Sequence, residues 1–344
     1  MPADAHHPRA IQGRRDRPDV AVFTLGGTIA MTRADDGGIA PGLSGSALLA
    51  SVPGLDTVAT ITVTSPLQRP GASLDIPALL ALAASIQAAL AAGAAGVVVV
   101  QGTDTIEETA FILDCILSTP SPVVVTGAMR GPEAAGADGP ANLLAASIVA
   151  ASGARDTGVL VVLGDTVHAA LFVHKAHTGL PDAFSSFPYG PVGHVFESRF
   201  HRALYMRPQV TLDIGSDARI SPVALVQVGM GDDGRMLNHL EAMGYEGVIL
   251  AAMGAGHVPA ALTEPLEVLA RTMPVILSSR VAGGPVFERT YGFSGSEIDL
   301  LGRGLMHGGA LGPLKARLLL QLAIAAGLQH DQLRQMFSAH EQRP

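Results

Sequence analysis

Short apolar runs alternate along this chain with stretches of helical periodicity, and several runs end in glycine followed by a hydroxyl or a carboxylate. Val97–Val100 is the plainest case. Four consecutive valines lead into Gln101-Gly102-Thr103-Asp104-Thr105, and a helical pattern begins at Ile106. A β-branched run with no polar position suits a strand covered on both faces, as in a parallel sheet. Gly102 permits a tight turn and close approach of backbone to a ligand. Thr103 and Asp104 stand at the strand's carboxyl end, where open α/β sheets bind ligands. Their plainer use is to cap the helix whose first turn carries Glu107 and Glu108. Val20–Ala30, VAVFTLGGTIA, has the same build: Gly26 and Gly27 turn the chain and Thr28 emerges at the strand end. Two such turns in one sheet bring Thr28 and Thr103 to the same rim.

The same reading predicts further strands at Thr60–Thr64, Val123–Thr126, Val159–Leu163, Val223–Val228, Gly247–Ala251 and Val275–Ser278. It predicts helices over Ser46–Val52, Pro77–Ala92, Ile106–Leu117, Pro140–Ala151, Met236–Met243, Ala260–Arg271 and Pro313–Gly327, the last strongly amphipathic. Asp75 caps the helix that opens at Pro77. Ala30–Ser44, Pro66–Ser73 and Gly127–Gly139 read as loops, the first with the length and position of a lid. Thr166–Arg219, rich in His, Pro and Phe, breaks the rhythm and reads as hairpins at one sheet edge, then a linker. Strands alternating with helices at this spacing mean βαβ units and a parallel sheet. The pattern divides the chain into a disordered tail 1–19, an N-terminal α/β domain 20–207, a linker 208–221 and a C-terminal α/β domain 222–344.

Composition narrows the function classes. The 344 residues are more than one core usually serves, and 48% are hydrophobic against 15% charged. A net charge of −8 supplies no basic stripe for nucleic acid. Met1–Asp19 has arginines and prolines but no apolar segment, and no window elsewhere is long and apolar enough to span a membrane, so a cytoplasmic location is expected. The single cysteine, Cys115, lies in an apolar helical pattern and reads as a packed thiol.

Gly229-Met230-Gly231-Asp232-Asp233-Gly234 follows a strand in the spacing of a dinucleotide fingerprint. Asp232 and Asp233 would repel a pyrophosphate, and Leu250-Ala251 offer no acid for a ribose, so nucleotide binding is disfavoured. His168, His174 and His177 show no metal-ligand spacing and read as hydrogen-bonding groups. No G-x-S-x-G follows a strand.

Six collinear blocks resemble the bacterial-type L-asparaginase/glutaminase family. They are LGGTIA at Leu25–Ala30, QGTDTIEET at Gln101–Thr109, VTGAMR with ADGPANLL within Val125–Leu144, GVLVVLGDTVHAALFVHKAHT at Gly158–Thr178, GAGHVP at Gly254–Pro259, and LSSR with TYGFSGSE within Leu277–Glu297. The resemblance runs from about Val20 to Phe337. It implies a larger parallel-sheet N-terminal domain carrying the site and a smaller Rossmann-like domain that completes a neighbour's site in a dimer or tetramer. It implies hydrolysis of an amino-acid side-chain amide without metal or cofactor. It casts Thr28 as nucleophile, Thr103 as second catalytic threonine and Asp104 as the carboxylate holding the substrate's α-amino group. Gly27, Gly71, Ala72, Ser73, Gly102, Ala128 and Met129 are the implied substrate-binding positions.

Four departures stand out. Gln101 replaces the histidine that usually precedes GTDT. Gly38 stands where the lid tyrosine is expected. Gly71, with Ser73 nearby, stands where a serine usually grips the α-carboxylate. The lysine that pairs with the Asp of GTDT is expected about six residues before Gly158, where Ser152 stands; Lys175 belongs to another block, and Arg155 is the nearest cation. Three functions follow: an L-asparaginase, a hydrolase of a related amide such as glutamine, or a binding protein that has lost catalysis.

Overall fold

The computed structural model describes residues 17–27, 31–33, 39–41, 45–207 and 210–341. In chain order the first half contains β1 (Asp19–Thr24), β2 (Met31–Arg33), β3 (Ile39–Pro41), α1 (Gly45–Ala50), α2 (Leu55–Val58), β4 (Thr60–Thr64), α3 (Ile76–Ala91), β5 (Gly96–Val100), α4 (Ile106–Ile116), β6 (Val123–Thr126), α5 (Gly139–Ala151) and β7 (Val159–Leu163). Then come β8 (Thr166–Ala169), β9 (His174–Lys175), β10 (Phe184–Ser185), β11 (Gly193–Phe196) and β12 (Arg199–Arg202). The second half contains β13 (Val223–Gln227), β14 (Gly247–Ala252), α6 (Thr263–Thr272), β15 (Val275–Ser279), α7 (Glu297–Gly302), β16 (Met306–His307), α8 (Pro313–Ala325) and α9 (His330–Glu341).

Two sheets organise the molecule. The larger has eight strands in the order β12-β11-β8-β7-β6-β5-β1-β4, and the smaller has four, β13-β14-β15-β16. β4, β1, β5, β6 and β7 run parallel, while β8, β11 and β12 are antiparallel. The large sheet is therefore mixed: of the hairpins expected in the arrhythmic segment, β8, β11 and β12 form its antiparallel edge, while β9 and β10 pair apart from it. The valines of β5 explain their own composition. Val97 and Val99 pack into the core on one face, with α3 and α4. Val98 and Val100 pack into the other, with α1, α2 and α5. Both faces are closed, so no position on the strand tolerates a polar residue.

Three expectations are revised. Met236–Met243 is not an α-helix but a single tighter turn, Leu237–His239; only Leu237 and Leu240 of this stretch bury fully, too few to anchor a longer helix. Within Ala30–Ser44, β2 and β3 pair antiparallel; Gly38 lies outside the described residues. Helix α8 is buried nearly all round rather than amphipathic, enclosing Lys315, Ala316, Leu318, Leu319, Leu320, Gln321, Leu322 and Ala323. It packs on α4 and on β13, β14 and β15, so it has hardly any solvent face. Among the described residues no helix is long and apolar enough to cross a membrane.

Candidate active site

Three chain turns leave the large sheet together. Thr24 of β1 pairs with Val100 of β5, and Val100 with Thr126 of β6. Leu25 N donates to Val100 O at 2.8 Å and Gln101 N to Thr126 O at 3.0 Å, which carries the pairing one residue past each strand. Gly27 has φ 95°, and a Cβ there would lie 2.1 Å from Gly102 N. Only glycine lets the first turn press against the second.

A cavity of about 210 Å³ opens at this edge. Gly27, Gly71, Gly102, Thr103, Asp104 and Met129 line it, together with Pro70, Lys175 and Thr178. Thr28, next to Gly27, lies outside the described residues. Ala72 and Ser73, on the turn Gly71–Ser73, face solvent and are not in the wall. Ala128 is buried beside it, 1% exposed.

Among the described residues that line this cavity, Lys175 is the cation. Its Nζ donates to Thr103 Oγ1 at 2.9 Å and to Asp104 Oδ1 at 2.7 Å. The reading that the family's lysine is replaced by Ser152 or Arg155 is thus corrected. Ser152 terminates α5, and its hydroxyl donates to Val149 O at 2.7 Å. A crossover helix that starts at the carboxyl edge ends at the opposite edge, so neither residue can reach Asp104. Lys175 comes instead from the short hairpin β9–β10, after the sheet has turned antiparallel. The sequence block that contains it was recognisable, but counting back from Gly158 pointed to the wrong end of a helix. Thr178, at the end of the same block, lines the cavity as well and was given no role from the sequence.

The polar residues around the cavity hold its walls. Thr103 and Asp104 do not cap α4: Thr105 is its N-cap residue and makes no side-chain cap bond. Thr105 Oγ1 instead donates to Gly71 O at 2.9 Å, tying the 71–73 turn to the rim. Gln101, 1% exposed, lies beneath, its Nε2 donating to Thr105 Oγ1 at 3.2 Å. In place of a histidine it braces the turn and does not line the cavity. Asp138 accepts from Met129 N at 2.9 Å and Arg130 N at 2.8 Å. Asn142 donates to Gly127 O at 3.0 Å, which gives the ADGPANLL block a structural purpose.

Charge is also arranged behind the rim. Glu107 Oε2 accepts from Lys175 N at 2.9 Å. Burial, aided by Glu107, pushes Glu108 up to about 7. His168 pairs through Nδ1 with Ser186 Oγ at 2.8 Å, and burial pushes it down to about 4, so it serves as a neutral hydrogen-bonding group. No cluster of His, Cys, Asp and Glu suited to a metal occurs among the described residues.

The fold and this cleft define a two-domain α/β enzyme whose polar side chains meet at parallel strand ends. Residues 19–206 match the family model "Asparaginase, N-terminal", and residues 222–337 match "Glutaminase/Asparaginase C-terminal domain". The chain belongs to the asparaginase family. It is 33% identical over 328 residues to a probable L-asparaginase of Deinococcus radiodurans, covering 93% of this chain and 97% of that one. It is 31% identical over 337 residues to a probable periplasmic L-asparaginase of Haemophilus influenzae, covering 95% of each. The crystal structure of a probable cytoplasmic L-asparaginase from Campylobacter jejuni superposes with a TM-score of 0.83 at 28% identity, covering 94% of this chain and 99% of that one.

Proposed function

We propose that this chain hydrolyses L-asparagine to L-aspartate and ammonia, with residues 20–207 carrying the site and residues 222–344 completing a neighbour's. The observation that carries this reading is the bridge from Lys175 to both Thr103 and Asp104 inside a small polar cavity walled by Gly27 and Gly102. Asp104, whose carboxylate is largely solvent-facing, accepts from the substrate's α-ammonium and fixes it for attack. Thr28 Oγ attacks the side-chain amide carbon, forming the C–O bond as the carbonyl π pair moves onto oxygen; collapse of this tetrahedral adduct then breaks the C–N bond. The hydroxyl proton passes through Thr103 and Lys175 to the departing nitrogen, which leaves as ammonia. Water then cleaves the ester, releasing L-aspartate and restoring Thr28. Backbone N–H groups of the crowded turns face the developing oxyanion.

A second assignment has its own support: Thr103 Oγ1 lies 2.9 Å from Lys175 Nζ, within reach of the group that handles the proton, which makes Thr103 the alternative nucleophile. Mass spectrometry of enzyme trapped with substrate separates the two. The ester is expected on the peptide containing Thr28 and absent from Thr28→Ala; an ester on Thr103 reverses the roles. Ammonia release from asparagine, glutamine and a panel of small amides tests the reaction itself, and release from none of them leaves only a binding role.

The same reading includes a cytoplasmic homo-oligomer, dimer or tetramer. Glu297, fully buried, accepts from Thr290 N at 2.9 Å and Tyr291 N at 2.7 Å and pairs with His257 Nε2 at 3.2 Å. Burial alone would raise this carboxyl, but those hydrogen bonds outweigh it and hold it low. The loop it fixes presents Tyr291, 41% exposed, and Phe293, 51% exposed, as an apolar surface suited to a partner's site. Sedimentation at assay concentration should show a dimer or larger; a monomer that retains full activity removes this part.

A further inference from the structure

Lys315 stands on the first turn of α8, in the half of the chain that does not contain the cavity, and is 8% exposed. Its Nζ donates to three backbone carbonyls across the boundary: Ala170 O at 2.9 Å, Leu171 O at 2.9 Å and Val173 O at 2.5 Å. Those carbonyls belong to the turn between β8 and β9. Within that turn, Phe172 N and Val173 N both bond back to Ala169 O. Two residues past Val173 the chain delivers Lys175 to Thr103 and Asp104. The Lys175 backbone is gripped from the other side by Glu107, whose carboxylate accepts its N–H.

We propose that Lys315 is a positioning residue, a buried cation of the C-terminal half whose carbonyl bonds set the placement of Lys175 in the active site. This rests on the reading of Lys175 as the proton-handling group. A buried ammonium is costly unless its donors are satisfied, and here each of its three N–H groups has an acceptor. Burial lowers Lys315 to about 8, while Glu107, Asp114 and Glu108 act in the opposite direction and favour its charge. Glu107 thus faces both lysines, accepting the backbone N–H of one and attracting the ammonium of the other. A merely structural cation would fit anywhere along the boundary between the halves; this one closes on the turn that carries Lys175. An apolar side chain there would leave three carbonyls unpaired and free the turn to shift, and a displacement of about 1 Å at a catalytic group can cost about 100-fold in rate.

The test is a double-mutant cycle on asparagine hydrolysis with thermal melting of each variant. Lys315→Met is expected to lower kcat about 10- to 100-fold, with a smaller change in KM. In the Lys175→Met background the same substitution should lower the residual rate by less than about twofold, because its route of action is already gone. Lys315→Gln, which keeps a donor, should fall between parent and Lys315→Met, and it replaces the latter if that variant does not fold. Independent losses at the two lysines overturn the proposal, as does an unchanged kcat in folded Lys315→Met. Hydrogen exchange over residues 170–178 supplies a readout without turnover, with about tenfold faster exchange expected in the Lys315 variant. If the parent hydrolyses no amide, the functional reading falls and exchange alone decides: unchanged rates in that segment sink the positioning role.

Discussion

At the end of β5 and again at the end of β13, a parallel strand runs into a glycine turn bearing adjacent polar side chains: Gln101–Thr105 after the first, Gly229–Gly234 after the second. β5 lies inside its sheet with neighbours on both sides, whereas β13 is an edge strand. At the inner turn, Thr103 and Asp104 leave the adjoining backbone to others and are met by Lys175 from a distant hairpin. At the outer turn the acids are spent locally. Asp232 Oδ1 accepts from Gly234 N at 3.0 Å, and Asp233 binds both the backbone and the guanidinium of Arg235. Met230 beside them is 94% exposed. A polar turn becomes a site when its side chains are released from capping duty and a second segment brings the opposite charge to them. An edge position leaves nothing to bring it.

Substitutions at the two turns should therefore differ in kind. Lys175→Met should have the largest effect, lowering kcat by about 100- to 10,000-fold, the usual weight of a positioned proton-transfer group; ammonia release with a matched melting curve measures it. In the same assay Ser152→Lys should change nothing, since that residue is at the far edge of the sheet, and a gain would contradict the placement of Lys175. Asp104→Ala should chiefly raise KM, by about 5- to 150-fold, as expected when an ammonium loses its partner in a partly dry site at about 1–3 kcal/mol. A pure kcat defect would move Asp104 from substrate binding to chemistry.

A smaller effect tests the support behind the inner turn. Glu108 has its folded pKa raised to about 7 from 4.5. Its contribution to stability is therefore complete below pH 4.5 and is lost as pH rises to about 7, because the unfolded chain releases the proton more readily. Glu108→Gln should stabilise the protein by about 1–3 kcal/mol at pH 8 and by little at pH 4. Melting at both values checks the sign; stabilisation larger at pH 4 would refute it. Least of all, Asp233→Ala at the outer turn should leave both melting and ammonia release unchanged, and a measurable loss of activity would remove the contrast between the turns.

Much of the fold was legible because it rests on local pattern. Val97–Val100, Val123–Thr126 and Val159–Leu163 are apolar at nearly every position, and Asp75 caps α3 by accepting from Ala78 N at 2.9 Å. The glycines of the rim were legible as well, since close approach leaves no alternative. Lys175 was not, although its block was conspicuous. Its partnership spans 72 residues to Thr103 and depends on a two-residue strand after the sheet has reversed direction. Lys315 was less visible still: on a helix read as amphipathic, a lysine belongs to the solvent face, and only the three-dimensional packing shows that α8 has hardly one.

The burial of α8 has a consequence for how the molecule comes apart. On one side it covers α4; on the other it carries the strands of the small sheet, and a single apolar core joins Phe111 and Leu113 to Leu319, Ile249 and Ile276. Each half keeps an apolar core of its own, yet one face of each is covered only through this shared helix. Expressed alone, the first half would expose the α4 face and the second would expose α8, and both would associate nonspecifically. The molecule should unfold as one cooperative unit, with a single calorimetric transition in place of two. The linker read from the sequence would then be no boundary of folding.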